Sequence, residues 1–313
     1  MKHVVVTGSL AFDYIMDFPQ SFEENILPEK LHTLSVSFLA HNFSKNFGGT
    51  AGNITYNLGL LNQKPLLLAS AGANDFKPYE QHLEGVSVNT SYIRKVEKEF
   101  SANMFMITDK NNCQIAGFYP GAMEKDDTLS IKNMKADFVV VAPTTPSAMG
   151  KFVKEAKAAN IPYLYDPAQQ IPRLSKEQLI NGIDGASILI GNDYELAMLT
   201  KKTGFSKNDI KRKSKIVITT LGSKGSLIEE KGKQYSIGTV NPKKIVDPTG
   251  AGDAYIAGFL SGFLQNSDLK TAGQIAATAA TYAIEHYGTQ NHRFSLDDFK
   301  ERYRQAFGET VKW

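Results

Sequence analysis

The sequence predicts an α/β fold: a mainly parallel central sheet with helices on both faces, plus a small antiparallel sheet beside it. Three observations carry this. Short β-branched runs are apolar at consecutive positions, as strands are when helices cover both sheet faces. These runs interleave with stretches of helical periodicity. A few other segments alternate apolar and polar residues, which buries one face and leaves the other wet or covering something.

In chain order the strand runs are Val4–Thr7, Leu66–Ala69, Phe138–Ala142, Tyr163–Tyr165, Ile188–Ile190 and Ile216–Thr219. Helical stretches fall near 51–62, 146–159, 193–201, 251–265, 271–286 and 296–306. The alternating segments are Leu34–Leu39, 103–108 and 114–119, the last two joined by Asp109-Lys110-Asn111-Asn112, a polar turn of hairpin chemistry. They read as a separate small sheet, with an antiparallel edge of the main sheet as the alternative. No repeat or low-complexity linker divides the chain. A single domain over 1–313 is expected, with the small-sheet strands drawn from roughly 13–47 and 99–120.

Composition narrows the function classes. At 42% hydrophobic and 21% charged residues over 313, disorder is excluded. Lys and Arg number 35 against 32 Asp and Glu, too small an excess to point to a nucleic-acid partner. The densest basic cluster, Lys211-Arg212-Lys213-Ser214-Lys215, is expected to be a solvated loop. Cys113 stands alone, so neither a disulfide framework nor a Cys-rich metal site can form within the chain. The six histidines form no H-x-x-x-H pair for zinc. The N-terminal apolar run is too short for a signal peptide, and no run reaches the roughly 18 residues of a membrane helix. A cytoplasmic protein with no membrane partner is expected.

The stretch Asp247-Pro248-Thr249-Gly250-Ala251-Gly252-Asp253 carries the most chemistry. A helix follows it, with Ile256, Phe259, Leu260, Phe263 and Leu264 on one apolar face. Ala254, Gly258 and Gly262 form a small-residue line suited to close packing. Its glycines therefore sit at a helix N-terminus, where unpaired N–H groups and the positive end of the macrodipole favour an anion. Asp253 falls in the first turn beside that anion, or merely complements the dipole. The loop is not a Walker A, since no Gly-Lys-Ser/Thr follows, nor a G-x-G-x-x-G, since Tyr255 fills the third glycine place. A second stretch, Gly48-Gly49-Thr50-Ala51-Gly52-Asn53, also opens a helix. It lets backbone approach a ligand and offers the Asn53 amide, or is a packing turn. Asp13, just beyond the first strand, lies where α/β sheets place ligand contacts, or in a solvated loop.

These motifs resemble those of the ribokinase-like (PfkB) carbohydrate kinases. Asp247–Asp253 is similar to the family signature D-T-x-G-A-G-D, Gly48, Gly49 and Asn53 to its G-G-x-x-x-N, and Asn192-Asp193-Tyr194-Glu195 to its N-x-x-E. Thr220-Leu221-Gly222-Ser223-Lys224-Gly225 resembles its nucleotide-binding T-x-G-x-x-G. Within the family the chain looks most like bacterial adenosine kinases of the mycobacterial type. That finer likeness rests on stretches such as Ser35-Val36-Ser37-Phe38-Leu39, Phe118-Tyr119-Pro120-Gly121-Ala122-Met123, Asp166-Pro167-Ala168-Gln169-Gln170 and Gly288-Thr289-Gln290.

The resemblance implies an adenosine kinase making AMP and ADP from adenosine and ATP with Mg²⁺, in purine salvage. It also implies a lid of antiparallel strands through which two subunits form a homodimer. Asp253 would accept the proton of the 5′-hydroxyl, and the N–H groups of Gly250, Ala251 and Gly252 would bind the charge on the transferred phosphoryl. Asn192 and Glu195 would organise Mg²⁺ through water, and Thr220, Gly222 and Gly225 would line the nucleotide site. Asp13, Gly49 and Asn53 would hold the ribose; Ser9, Phe118, Gln169 and Gln170 would surround the base. Ser37 would reach the neighbouring subunit's adenosine. K⁺ is implied near Asp247 and Thr249. Two positions depart from the pattern: Pro248 replaces the signature Thr, and Met104 stands where a Phe is expected to sandwich the base with Phe118. Another sugar or nucleoside kinase, or a non-catalytic nucleotide-binding protein, is the alternative.

Overall fold

A computed structural model describes residues 2–311. The chain runs through β1 (Val4–Thr7), β2 (Ala11–Asp17), β3 (Asn42–Gly48), α1 (Thr50–Leu60), β4 (Leu66–Leu68), β5 (Ser70–Gly72), α2 (Lys77–Glu84), β6 (Arg94–Val96), β7 (Ala102–Thr108) and β8 (Gln114–Tyr119). It continues through β9 (Phe138–Val141), α3 (Pro146–Ala158), β10 (Tyr163–Tyr165), α4 (Lys176–Ile183), β11 (Ile188–Asn192), α5 (Asp193–Thr203) and α6 (Lys207–Lys213). The last elements are β12 (Ile216–Thr220), β13 (Ser226–Glu230), β14 (Lys233–Ile237), α7 (Ala251–Leu264), α8 (Leu269–Ile284) and α9 (Leu296–Phe307).

The central sheet has the order β14-β13-β12-β11-β10-β9-β1-β4 and is parallel from β12 to β4. Its consecutive apolar positions are explained by two cores, one on each face. Val4 and Val6 point into a core shared with α1, α2, α7 and α8, and Val5 into one shared with α3 and α4. Each such side chain, fully buried, contributes about 1.5–3 kcal/mol. Strand order reverses at β1, since β4 lies on one side of it and β9 on the other. A crevice therefore opens at the carboxyl ends of these strands.

The small sheet is present as a four-stranded unit, β3-β2-β7-β8. Its β3/β2 and β7/β8 pairs are antiparallel and the central β2/β7 pair is parallel. The hairpin turn forms as its chemistry predicts: Asp109 Oδ1 accepts from the N–H groups of Asn111 and Cys113, and Asn112 takes a left-handed φ of 62°.

Three expectations are corrected. Leu34–Leu39 is not a strand; it is irregular backbone, with Leu34 and Leu39 exposed. What anchors it is Phe38, which packs edge-on against Phe22 and tilted against Phe18. The small sheet takes Asn42–Gly48 instead. The basic cluster is not a loop either, because Lys207–Lys213 forms α6 behind the Ser206 capping box, with Lys211, Arg212 and Lys213 in its last turn. Cations there complement the C-terminal end of the dipole, and Lys211 pairs with Glu229 at 2.6 Å. Finally, α7 is buried almost all round rather than on one face. Its small-residue line meets α8 so closely that a Cβ on Gly258 would lie 2.7 Å from the Ala276 Cα.

Candidate active site

A cleft of about 560 Å³ lies between the carboxyl ends of the parallel strands and the small sheet. The loops after β1, β9 and β10 bring Ser9, Pro143 and Asp166 to it, and β11 and β12 end in it with Asn192 and Thr220. Two helices aim their N-termini at it. α1 begins after Gly49, whose φ of 86° and backbone crowding exclude a side chain: a Cβ would sit 2.6 Å from the Ser9 carbonyl. α7 begins after Gly250, at φ 81°, where a Cβ would meet Thr289 at 2.9 Å. Thr249, Gly250, Gly252 and Asp253 all line the cleft.

Asp253 is fixed by Asn53, whose Nδ2 donates to its Oδ2 at 2.7 Å. Burial pushes the Asp253 carboxyl up to about 7; the Asn53 bond opposes this, while Asp13 and Glu195 add to it. Asp13 is itself raised to about 6 by burial and by Asp247. Asp166 is raised well above the carboxylate range by burial, Glu195 and Asp253. A carboxylate near 7 is a better proton acceptor at neutral pH than an ordinary aspartate.

Asn192 and Glu195 form the capping box that starts α5. Glu195 N–H donates to Asn192 Oδ1 at 2.8 Å, and Asn192 N–H donates to Glu195 Oε2 at 2.7 Å. The box fixes Glu195, which lines the cleft and whose charge acts on Asp253. Four carboxylates (Asp13, Asp166, Glu195, Asp253) and a single cation, Arg173, line the cavity. No cluster of three or more His, Cys, Asp or Glu groups close enough to cage a metal is found among the described residues. Sparse, separated oxygens fit a divalent cation such as Mg²⁺, which keeps its waters and binds through one or two carboxylates plus phosphate oxygens. At the loop where K⁺ is implied, Asp247 Oδ1 accepts from Thr249 N–H at 2.9 Å and Oδ2 from Gly288 N–H at 3.1 Å.

The small sheet contributes one row of side chains. Strand register sets Asp13 opposite Met104, and Met104 opposite Phe118, so all three share the face toward the cleft. Gly48 makes room for Asp13, since a Cβ there would lie 2.2 Å from Asp13 Oδ2. Met104 and Phe118 are thus lateral neighbours, forming a continuous surface rather than two jaws. Gln169 and Gln170 line the cleft on a loop in which Ala168 takes a φ of 32°. The Gln170 Oε1 is buried with no hydrogen-bond partner among the described residues.

Most of the residues singled out in the sequence therefore meet in one cavity: Ser9, Asp13, Gly49, Asn53, Met104, Phe118, Gln169, Gln170, Asn192, Glu195, Thr220, Gly250, Gly252 and Asp253. Four do not line it. Ser37 is exposed in the irregular segment before β3, and the Ala251 N–H turns back to the Pro248 carbonyl at 3.3 Å. Gly222 and Gly225 shape the β12–β13 turn, where the Leu221 N–H donates to the Gly225 carbonyl at 2.8 Å. Sequence reasoning missed Asp166, Arg173 and Thr289 as lining residues. Asp166 carried the same signal as Asp13, a carboxylate just past a strand's carboxyl end, and Thr289 stood in the Gly288-Thr289-Gln290 stretch of the family likeness; Arg173 had no signal.

A helix N-terminus opening into the crevice of a parallel sheet beside a buried carboxylate is an arrangement suited to phosphoryl transfer onto an alcohol. The family profile described as pfkB family carbohydrate kinase matches residues 1–294, and the chain belongs to that family. It is an ATP-dependent kinase. The nucleoside kinase of Methanocaldococcus jannaschii is 32% identical over 304 residues, covering 96% of this chain and 97% of that protein. The structure of Burkholderia thailandensis nucleoside kinase in complex with inosine superposes with a TM-score of 0.90 at 31% identity, covering 99% of this chain and 100% of the other. The ATP-dependent 6-phosphofructokinase of Thermoanaerobacterium thermosaccharolyticum is 25% identical over 296 residues, covering 85% of this chain and 87% of that protein. The first two are named for nucleosides in general, a broader class than the adenosine kinases of mycobacterial type. No helix of the described residues is long and apolar enough to cross a membrane.

Proposed function

We propose that this chain is a Mg²⁺-dependent nucleoside kinase, with adenosine among its acceptors, that transfers the γ-phosphoryl of ATP to the ribose 5′-hydroxyl. With adenosine the products are AMP and ADP, a purine-salvage reaction. The row Asp13–Met104–Phe118 carries the reading. Adjacent strands lie roughly 4.8 Å apart, so the row extends about 10 Å from a carboxylate suited to ribose hydroxyls to an apolar surface suited to a planar base. A free sugar would leave that surface wet. The unpaired Gln170 amide oxygen supports the reading, because a base offers it a donor. Inosine bound to the Burkholderia relative supports it further.

In this reading Asp253 accepts the proton of the 5′-hydroxyl as the O–P bond forms and the bond to the ADP oxygen breaks. The N–H groups at the start of α7 meet the charge spread over the phosphoryl oxygens, where positioning and neutralisation do most of the work. Asn192 and Glu195 would hold Mg²⁺ through water, and the ion would supply charge neutralisation; Thr220 lines the phosphate-donor side. K⁺ at the Asp247–Thr249 loop belongs to the same proposal. So does a homodimer through the outer face of the small sheet, where Phe43, Phe105 and Ile115 are exposed. In that dimer Ser37 would approach the partner's site. Light scattering at micromolar concentration should give twice the chain mass; a monomer removes both ideas.

The test of function is a panel of adenosine, guanosine, inosine, ribose and fructose-6-phosphate with ATP and Mg²⁺. Nucleosides should be turned over, with adenosine among them. Phosphorylation of ribose or fructose-6-phosphate in preference to every nucleoside would overturn the reading.

A further inference from the structure

Among the described residues Asn53 is the side chain that hydrogen-bonds Asp253, and its own orientation is set from behind. Its Oδ1 accepts from Gln290 Nε2 at 2.8 Å and lies 2.7 Å from Thr289 Oγ1, whose one hydroxyl proton is shared with the Phe47 carbonyl at 2.8 Å. An amide whose oxygen accepts from Gln290 and faces the Thr289 hydroxyl presents its NH₂ on the other side, toward Asp253. Gln290 is buried, and its NH₂ is fully used, donating to Asn53 and to the Tyr79 hydroxyl. Tyr79 donates in turn to the Gly48 carbonyl at 2.7 Å. The buried Gln290 Oε1 makes no well-formed hydrogen bond among the described residues, and the His82 side chain of α2 approaches Gln290. Both donors of this amide are therefore directed into the relay.

We propose, resting on the phosphotransferase reading above, that Gln290 and Thr289 are positioning residues: they lock the Asn53 amide as a donor to the Asp253 carboxylate and so hold Asp253 aimed and ready to take the proton. Without them the Asn53 amide can turn over and offer its oxygen to Asp253. That arrangement suits a protonated carboxyl and opposes proton acceptance. Other charged or titratable groups surround the relay: Asp13 on β2, Asp166 after β10 and Glu195 on α5 act on Asp253, Tyr79 and His82 on α2 meet Gln290, and His292 beyond α8 bonds Asn57, with Arg173 in the same cleft. Burial holds both His82 and His292 below the ordinary imidazole range, His292 at about 4.

The test uses Gln290→Met and Thr289→Val, both near-isosteric, with Thr289→Ser as the conservative control. Two readouts are taken. In the first, kcat and KM for the best nucleoside are followed from pH 6 to 9. Gln290→Met should lower kcat about tenfold near pH 6.5, with little change in KM and a shrinking deficit toward pH 9. The acid limb should move up by about one unit, because a hydrogen bond to a charged group is lost. Thr289→Val should shift it in the same direction, and Thr289→Ser should restore it. In the second readout, independent of turnover, ¹³C NMR of labelled aspartates follows the Asp253 titration, assigned by its loss in Asp253→Asn. Its midpoint should rise in Gln290→Met and Thr289→Val. An unchanged midpoint, or a uniform drop in kcat at every pH, would overturn the proposal. If wild-type protein phosphorylates nothing in the panel, the functional reading fails, while the NMR midpoints still decide the relay.

Discussion

The two walls of the cleft are built on different terms. On the sheet side the groups nearest the chemistry are held by partners within the fold. Asn53 is pinned between Asp253, Thr289 and Gln290, Glu195 by a capping box, and Gly250 against Thr289. On the small-sheet side, Met104 and Phe118 are held only by strand register, and Phe118 is 44% exposed. Phosphoryl transfer tolerates little misplacement, whereas covering a base needs area more than geometry. The rigid wall is thus suited to the chemistry and the loose wall to choosing the acceptor.

That division is broken most severely at Asp253. Asp253→Asn keeps size and polarity but removes the proton acceptor, so kcat should fall at least about 10²-fold while adenosine and ATP still bind. A variant retaining more than about a tenth of wild-type kcat would refute general-base catalysis. The same change should stabilise the unliganded protein above neutrality. A carboxyl whose folded value lies near 7, above its ordinary 3.8, binds its proton more tightly folded than unfolded. Its contribution is present below about pH 4 and is lost as pH rises to about 7. Thermal melts should therefore show wild type losing more stability than the variant between pH 4 and 8. Identical pH dependence would mean that Asp253 is not desolvated.

A smaller effect is expected on the loose wall. Met104→Phe places a second ring beside Phe118, and one well-placed aromatic contact is worth roughly 0.5–1.5 kcal/mol. The kcat/KM for adenosine should rise about two- to tenfold, with ribose turnover unchanged. Because Met104 and Phe118 are side by side, the gain comes from a wider platform and not from a clamp. A lower melting temperature with an unchanged adenosine-to-ribose ratio would place Met104 in the packing of the sheet rather than against the base.

The same contrast governs what could be read from the sequence. The central strands and the helices α1, α3, α5, α7, α8 and α9 were legible because buried parallel strands and long periodic helices leave strong patterns. The glycines of Gly250 and Gly49 announced helix N-termini that the fold turns into the cleft. The small sheet was read only in part. Asn42–Gly48 alternates plainly, with Phe43, Lys45 and Phe47 on one face, yet the apolar Leu34–Leu39 beside it drew the strand assignment. Nothing local distinguishes an alternating strand from an alternating loop; the partner strand does, and β2 supplies it to Asn42–Gly48 alone. The β13–β14 hairpin escaped notice for a similar reason, since its Glu- and Lys-rich strands look like surface loop. The Thr289–Gln290–Asn53 relay joins residues more than 230 positions apart, which no spacing could predict.

The central claim is that one wall performs the chemistry and the other selects the acceptor, and Phe118→Ala tests it most directly. Phe118 lies far from the Asp253 relay, and stacking a base on a ring is worth about 1–3 kcal/mol. Measured with ATP and Mg²⁺, the variant should lose roughly five- to 150-fold in kcat/KM for adenosine, mostly through KM. Its kcat for adenosine and its turnover of ribose should stay near wild type. A parallel collapse of kcat for both acceptors, or an unchanged KM for adenosine, would contradict it.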